Sequence, residues 1–167
     1  MNLILCGMMG SGKTTVGKKL AECIEARWLD TDGIIEERYG KISELFKRYG
    51  EEYFRAKETE IVKEFAKMDG LVISTGGGLL LKEENVKLLK ANGTIIFLRA
   101  TLNTLLERLQ GDRERPLLQN STDLRLRLSR LLEERTPVYE RVADYTVDVD
   151  KKAPDEIAKE IIGLTVK

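Results

Sequence analysis

Short apolar runs alternate along this chain with longer segments whose apolar residues recur every three or four positions. The first run, Asn2–Cys6, has the length of a buried strand and stops at Gly7. In residues 14–25, Val16, Leu20, Cys23 and Ile24 lie at i, i+4, i+7 and i+8, which predicts an amphipathic helix. Arg27–Asp30 reads as a second short strand. Helical patterns follow over 32–39, 43–49 and 51–68, punctuated by Gly40 and Gly50. A third strand, 71–75, runs into Gly76, Gly77 and Gly78. Then come a helix over 82–91, a strand over 94–98, a helix over 102–109 and a polar loop over 111–121. A leucine-striped helix over 123–135 is expected to end or kink at Pro137. A fifth strand over 145–149 and a helix over 154–162, opened by Pro154, complete the pattern. Strands alternating with helices predict an α/β fold built on a parallel sheet. Without repeats, low-complexity tracts or linkers, one domain is expected over 1–167.

Composition narrows the function classes. Lys+Arg and Asp+Glu are both 28, so the formal net charge is zero, where a protein that coats nucleic acid or anionic lipid needs a basic excess. No apolar run is long enough to cross a bilayer, and no basic-then-apolar leader follows Met1. The expectation is a cytoplasmic chain with no nucleic-acid or membrane partner. Cys6 and Cys23 are too few for a disulfide framework, which fits a reducing compartment. Histidine is absent, so His bases, Ser-His-Asp triads and His-ligated metals are excluded, and proton transfer falls to carboxylates, Lys, Tyr or Cys.

Gly7-Met8-Met9-Gly10-Ser11-Gly12-Lys13-Thr14 matches G-x-x-x-x-G-K-[ST] and lies between an apolar strand and an amphipathic helix, where a phosphate-binding loop belongs. Glycines let the backbone wrap a polyphosphate, and the helix beginning near Lys13 adds its positive end. The Lys13 ammonium can bridge the β and γ phosphates, and the Thr14 hydroxyl can take a place on Mg²⁺. The motif predicts an ATP or GTP site. No Asn-Lys-x-Asp element of a guanine-specific switch is present, and the strand over 71–75 ends in Ser, Thr and glycines rather than an acid. A small kinase is the simplest reading.

Three further groups carry candidate chemistry. Asp30 and Asp32 follow a strand, so they fall at the ligand-binding edge of a parallel sheet, where one can hold Mg²⁺ through water and the other can accept a hydroxyl proton. Asp32 is equally placed to cap the next helix. Arg55 and Glu58 share a helix face, as an ordinary solvated ion pair also would. Leu124, Leu128 and Leu131 step along one stripe whose next member is Arg135. An arginine there either faces an anion or snorkels at the helix end.

In order and spacing, these residues resemble the shikimate kinase family. The resemblance runs through Gly7–Thr14, Asp30-Thr31-Asp32, 50–58, Gly76-Gly77-Gly78, Arg115-Pro116-Leu117-Leu118 and Arg135-Thr136-Pro137-Val138-Tyr139. It implies a three-layer P-loop kinase fold: a five-stranded parallel sheet flanked by helices, a substrate-binding segment over about 31–60 and a mobile lid over about 110–122. It implies transfer of the γ-phosphoryl of ATP to the 3-hydroxyl of shikimate, with Mg²⁺, in the route to chorismate, by a monomer. Gly10, Ser11, Gly12, Lys13, Thr14, Thr15, Arg108, Arg115 and Pro154 would bind ATP, with Arg108 and Pro154 sandwiching the adenine. Asp32, Phe46, Phe54, Arg55, Glu58, Gly76, Gly77, Gly78 and Arg135 would bind the acceptor. In that set Arg55 and Arg135 grip its carboxylate, Glu58 fixes Arg55, and the glycines present backbone N–H groups. Lys13, Asp32 and Arg115 would be catalytic, and Thr14, with Asp30 through water, would hold the metal. The chain reads Lys-Thr-Thr where the family has Lys-Ser-Thr, and its lid arginines are flanked by Asp112 and Glu114. Another small-metabolite kinase, acting on gluconate or a nucleoside monophosphate, is the neighbouring reading. A nucleotide-binding regulator without catalysis is the reading from a different class.

Overall fold

The computed structural model describes residues 1–110 and 121–166, the side chains of Ser121 and Thr122 excepted. Five parallel strands form its centre: β1 (Asn2–Cys6), β2 (Arg27–Asp30), β3 (Leu71–Ser74), β4 (Gly93–Arg99) and β5 (Tyr145–Asp148), in the spatial order β2-β3-β1-β4-β5. Helix α1 (Lys13–Cys23) links β1 to β2. Helices α2 (Thr31–Tyr39), α3 (Ile42–Tyr49) and α4 (Glu51–Ala66) link β2 to β3. A 3₁₀ turn (Leu79–Leu81) and α5 (Glu83–Lys90) lead to β4, α6 (Leu102–Gln110) and α7 (Ser121–Val142) follow it, and α8 (Pro154–Thr165) closes the described chain.

Alternation along the strands sorts the core into two layers. Leu3, Leu5, Val72, Ile96 and Leu98 pack with Val16 and Leu20 of α1 and Ile157 and Ile161 of α8. Ile4, Cys6, Ile73, Ile95 and Phe97 point the other way, against Ile61 and Phe65 of α4, Leu89 of α5 and Leu128 of α7. Helices therefore cover both sheet faces, which explains why β1 and β3 are buried at every position. Helix α1 leaves β1 on one face, while α5 leaves β3 toward β4 on the other. The divergence opens a crevice beyond the carboxyl ends of β1 and β3, the usual ligand position in an open α/β sheet.

The predicted elements recur with ends shifted by no more than three residues, apart from α7. That helix runs through Pro137 to Val142 rather than ending there. Leu124 and Leu128 are buried, and the same stripe continues beyond the proline with Tyr139 and Val142, 1% and 8% exposed. Tyr139 packs against Phe97 with the rings tilted at 41° and their centroids 5.1 Å apart, and its hydroxyl donates to the Gly77 carbonyl. Pro137 itself is exposed, so the hydrogen bond it denies the helix lies on the solvent side, and packing of the buried face outweighs that loss. The 3₁₀ turn was not expected from the pattern. The predicted loop over 111–121 lies outside the described residues up to 120.

Asn2 ties the edges of this architecture together. It is 2% exposed, donates to Phe65 O and Met68 O at the end of α4, and accepts from the Leu71 amide at the start of β3. Asn2→Ala leaves these groups unpaired in the interior and is expected to cost about 3 kcal/mol of unfolding free energy. Urea denaturation checks this, and a loss below about 1 kcal/mol would show that water replaces the amide.

Candidate functional site

A cleft of about 630 Å³ opens at the carboxyl edge of the sheet. One wall is the loop after β1, with Gly10, Gly12, Lys13 and Thr14. The second is Asp30 and Asp32 at the junction of β2 and α2. The third is Phe54, Arg55 and Glu58 on α4, and Gly76, Gly77, Gly78 and Arg135 close it.

The loop takes its shape from glycine. Gly10 and Gly12 have φ of +84° and +95°, a left-handed backbone that costs other residues free energy, and Gly12 stands directly before the first turn of α1. The Gly12 carbonyl accepts from Val16 N at 2.8 Å, so the helix begins immediately after the bend. Lys13 Nζ donates to the Gly7 carbonyl at 2.5 Å, folded back over its own loop. Burial lowers the Lys13 pKa to about 8, against the attraction of Cys6, Asp32 and Asp30. An ammonium held this way gains most from an anion that replaces lost water.

The two aspartates divide their work. Asp30 is the cap of α2: its carboxylate accepts the Asp32 amide at 3.1 Å. Asp32, weighed as a cap, lies instead in the first helical turn with its carboxylate in the cleft. Burial, then the neighbouring Asp30 charge, raises its pKa, and Lys13 opposes the rise. A carboxylate made more basic in this way suits proton acceptance.

Each of the three glycines faces a different charged side chain. A Cβ on Gly76 would collide with the Asp32 carboxylate, one on Gly77 would lie 2.7 Å from Arg135 Nη1, and one on Gly78 would lie 2.5 Å from Arg55 Nη2. The loop is therefore the seat on which acid and arginines converge. The Gly76 amide donates to Thr31 Oγ1 at 2.9 Å, so it is spent on the fold rather than offered to a ligand, contrary to expectation. Arg55 Nη1 donates to Glu58 Oε1 at 2.6 Å, and Glu58 is 1% exposed, so the pair is not the solvated one a helix surface makes. Burial raises the Glu58 pKa and Arg55 draws it back. Its other oxygen, Oε2, is buried without a partner. Arg135 makes no ion pair with a described carboxylate and lies beside the Tyr139 hydroxyl, whose pKa burial pushes up to about 12.

Other expected residues fall elsewhere. Phe46 is 37% exposed and touches the cleft only through Phe54, with ring centroids 5.0 Å apart. Arg108 is tied to the phosphate loop, donating to Ser11 O at 2.9 Å and Gly10 O at 3.3 Å. Pro154 borders a separate groove with Thr14, Thr15 and Lys18 that Arg108 does not line. Ser11 is buried behind the loop with its hydroxyl unpaired. Arg115 lies outside the described residues. Sequence reasoning missed Met9, Glu36, Ile42, Ser74 and Thr75, which also line the cleft. Glu36, one turn beyond Asp32, was readable from spacing, and Ser74-Thr75 from its place between strand and glycines.

Among the described residues no group of three or more Cys, Asp or Glu side chains is arranged to hold a metal. Thr14 and Asp30 share the cleft with Lys13, a sparse oxygen set that fits a cation whose remaining ligands are phosphate and water. Among the described residues no helix is long and apolar enough to cross a membrane.

The raised Asp32 pKa has a stability consequence. The folded chain binds this proton more tightly than the unfolded chain, so the charged form destabilises the fold, and the penalty builds as pH rises from below 3.8. Asp32→Asn is expected to raise the urea midpoint at pH 7, with the gain fading below pH 4. A midpoint lowered at pH 7 would show that the carboxylate is held by attraction instead.

Comparison with known proteins places the chain in a family. The shikimate kinase family model matches residues 9–165. A shikimate kinase of Sulfurihydrogenibium sp. is 44% identical over 96% of this chain and 95% of its own length. One from Caldanaerobacter subterraneus is 42% identical over 99% and 96%. A shikimate kinase from Acinetobacter baumannii, solved in complex with shikimate, superposes with a TM-score of 0.89 at 37% identity, covering 99% of this chain and 95% of that one. The enzyme from Bacteroides thetaiotaomicron gives 0.90 at 32% identity, covering 98% and 97%. With a loop for phosphate and a pair of arginines set around one cleft, and a family match across nearly its whole length, the chain belongs to the shikimate kinase family.

Proposed function

We propose that this chain transfers the γ-phosphoryl of ATP to the 3-hydroxyl of shikimate within the 630 Å³ cleft, acting as a single-domain cytoplasmic monomer. The observation that carries the reading is the convergence of Asp32, Arg135 and Arg55 on three successive glycines, in the same cleft as the phosphate loop. A small acid has a carboxylate to be gripped and a hydroxyl to be activated, and this arrangement offers both.

Phosphoryl transfer needs alignment and positive charge more than covalent help. Lys13 leaves the Gly7 carbonyl for the phosphates, and the amides at the start of α1 supply further positive potential. Arg55, oriented by the buried Glu58, and Arg135 hold the acid in a fork geometry that lysine does not copy. Asp32 then orients the 3-hydroxyl and takes its proton. Thr14 and Asp30 are the residues that would hold Mg²⁺, which spreads the negative charge of the phosphates. By resemblance alone, Arg115 adds its charge to the same phosphates. Arg108 acts on the nucleotide by bracing the loop carbonyls as well as through the base.

ADP release from ATP offered with shikimate, gluconate and nucleoside monophosphates tests the acceptor, and shikimate alone is expected to drive turnover. Arg55→Lys is expected to raise KM for shikimate about tenfold or more while KM for ATP moves less than about threefold, since one bidentate contact is lost on the acid only. Equal changes in both constants would remove the clamp. Lys13→Ala and Asp32→Ala are each expected to lower kcat at least about a hundredfold with the circular dichroism spectrum unchanged. Activity near the parent level in either variant would take that residue out of the reaction.

A further inference from the structure

The chain has one tryptophan, Trp28, on strand β2. Its indole Nε1 donates to Ser74 Oγ at 3.0 Å, and Ser74 Oγ donates to the backbone carbonyl of Lys13 at 2.7 Å. An indole N–H can only donate and a backbone carbonyl can only accept. The hydroxyl proton of Ser74 is therefore directed toward Lys13, and both bonds of that hydroxyl are fixed by its neighbours. Ser74 is 1% exposed at the end of β3, in register with Asp30 across the sheet.

Two further features converge on this junction. Gly17 is buried inside α1, where glycine is a poorer helix former than alanine. A Cβ there would lie 2.7 Å from Trp28 Nε1 and closer still to Ser74 Oγ, so the missing side chain makes room for the pair. Lys18, the next residue, places its ammonium 4.9 Å from the centre of the Trp28 ring. Helix α1 is thus held to β2 and β3 immediately behind the residue whose side chain faces the phosphates.

We propose that Trp28 is a positioning residue for nucleotide binding: through Ser74 it fixes the Lys13 carbonyl, and with it the angle at which the first turn of α1 meets the phosphates. The inference rests on the ATP reading of the loop. It adds a residue that lines no part of the main cleft. Without the indole N–H, the Ser74 hydroxyl is free to turn from Lys13, and the first turn gains a freedom that nucleotide binding must then remove.

Because the tryptophan is unique, it can be replaced throughout the protein by its benzothiophene isostere, which keeps the ring and loses only the N–H. The dissociation constant for ADP, measured by calorimetry, is expected to rise about three- to tenfold, the range of one net hydrogen bond. KM for shikimate should stay within about twofold. Ser74→Ala should produce a similar rise, and combining it with the isostere should add little more, because both break one relay. In the unmodified protein, ADP is expected to shift Trp28 fluorescence, a readout that needs no variant, and Ser74→Ala should suppress the shift. An unchanged ADP constant in the isostere protein, an equal loss for shikimate, multiplying effects in the combined protein, or a silent tryptophan would overturn the proposal. If the unmodified protein fails to bind ADP at all, the nucleotide reading falls along with it.

Discussion

The withdrawal of the Lys13 charge from water at the start of α1 is the constraint on which the remaining site depends. Nothing in the fold by itself repays that cost in full. Lys13 folds back on the Gly7 carbonyl, its pKa falls to about 8, and Asp30 and Asp32 lie close enough to draw it partly back. Burial meanwhile raises the pKa of Asp32, and Glu58 is buried with one oxygen unpaired. Three groups in one cleft are each held away from their preferred state. Phosphates at one end of the cleft and hydroxyl donors at the other would relieve them together. Strain of this kind gathers at sites where binding is meant to supply the compensation.

The absence of histidine sharpens the chemistry. An enzyme that must break carbon–oxygen or amide bonds near neutral pH commonly uses an imidazole. Phosphoryl transfer to an alcohol has less need of one, because catalysis there is mostly positioning and charge stabilisation. A carboxylate whose pKa burial raises suits that task. The two arginines likewise differ in their surroundings. Arg55 has a buried carboxylate that fixes its pose, whereas Arg135 has none among the described residues and stands beside a buried tyrosine hydroxyl.

Much of this was readable from the chain, for physical reasons. The phosphate loop declares itself because glycine takes the left-handed backbone at Gly10 and Gly12 at the least cost, so the motif is spelled in residue types. The parallel sheet declares itself through continuous apolar runs, since both faces are covered. The end of α7 was misread because a local rule about Pro137 competed with burial of Tyr139, and tertiary packing prevailed. Asp32 was ambiguous because spacing cannot tell whether its carboxylate caps the start of the next helix or turns into the cleft. The relay from Trp28 through Ser74 was invisible, since its members lie 46 positions apart and meet only when β2 and β3 pair. The glycine seat was visible as three letters, but its pairing with three separate charged side chains belongs to the folded state.

A crystal grown with ADP, Mg²⁺ and shikimate is the most direct test of the central claim, that one cleft holds both reactants in line. The account places the shikimate carboxylate on Arg55 and Arg135, its 3-hydroxyl against Asp32, and the terminal phosphate of ADP on Lys13, with the hydroxyl and phosphate facing each other across room for one phosphoryl group. Shikimate found outside the cleft, or bound there with its carboxylate toward Lys13 and its 3-hydroxyl turned from the phosphate, would contradict it.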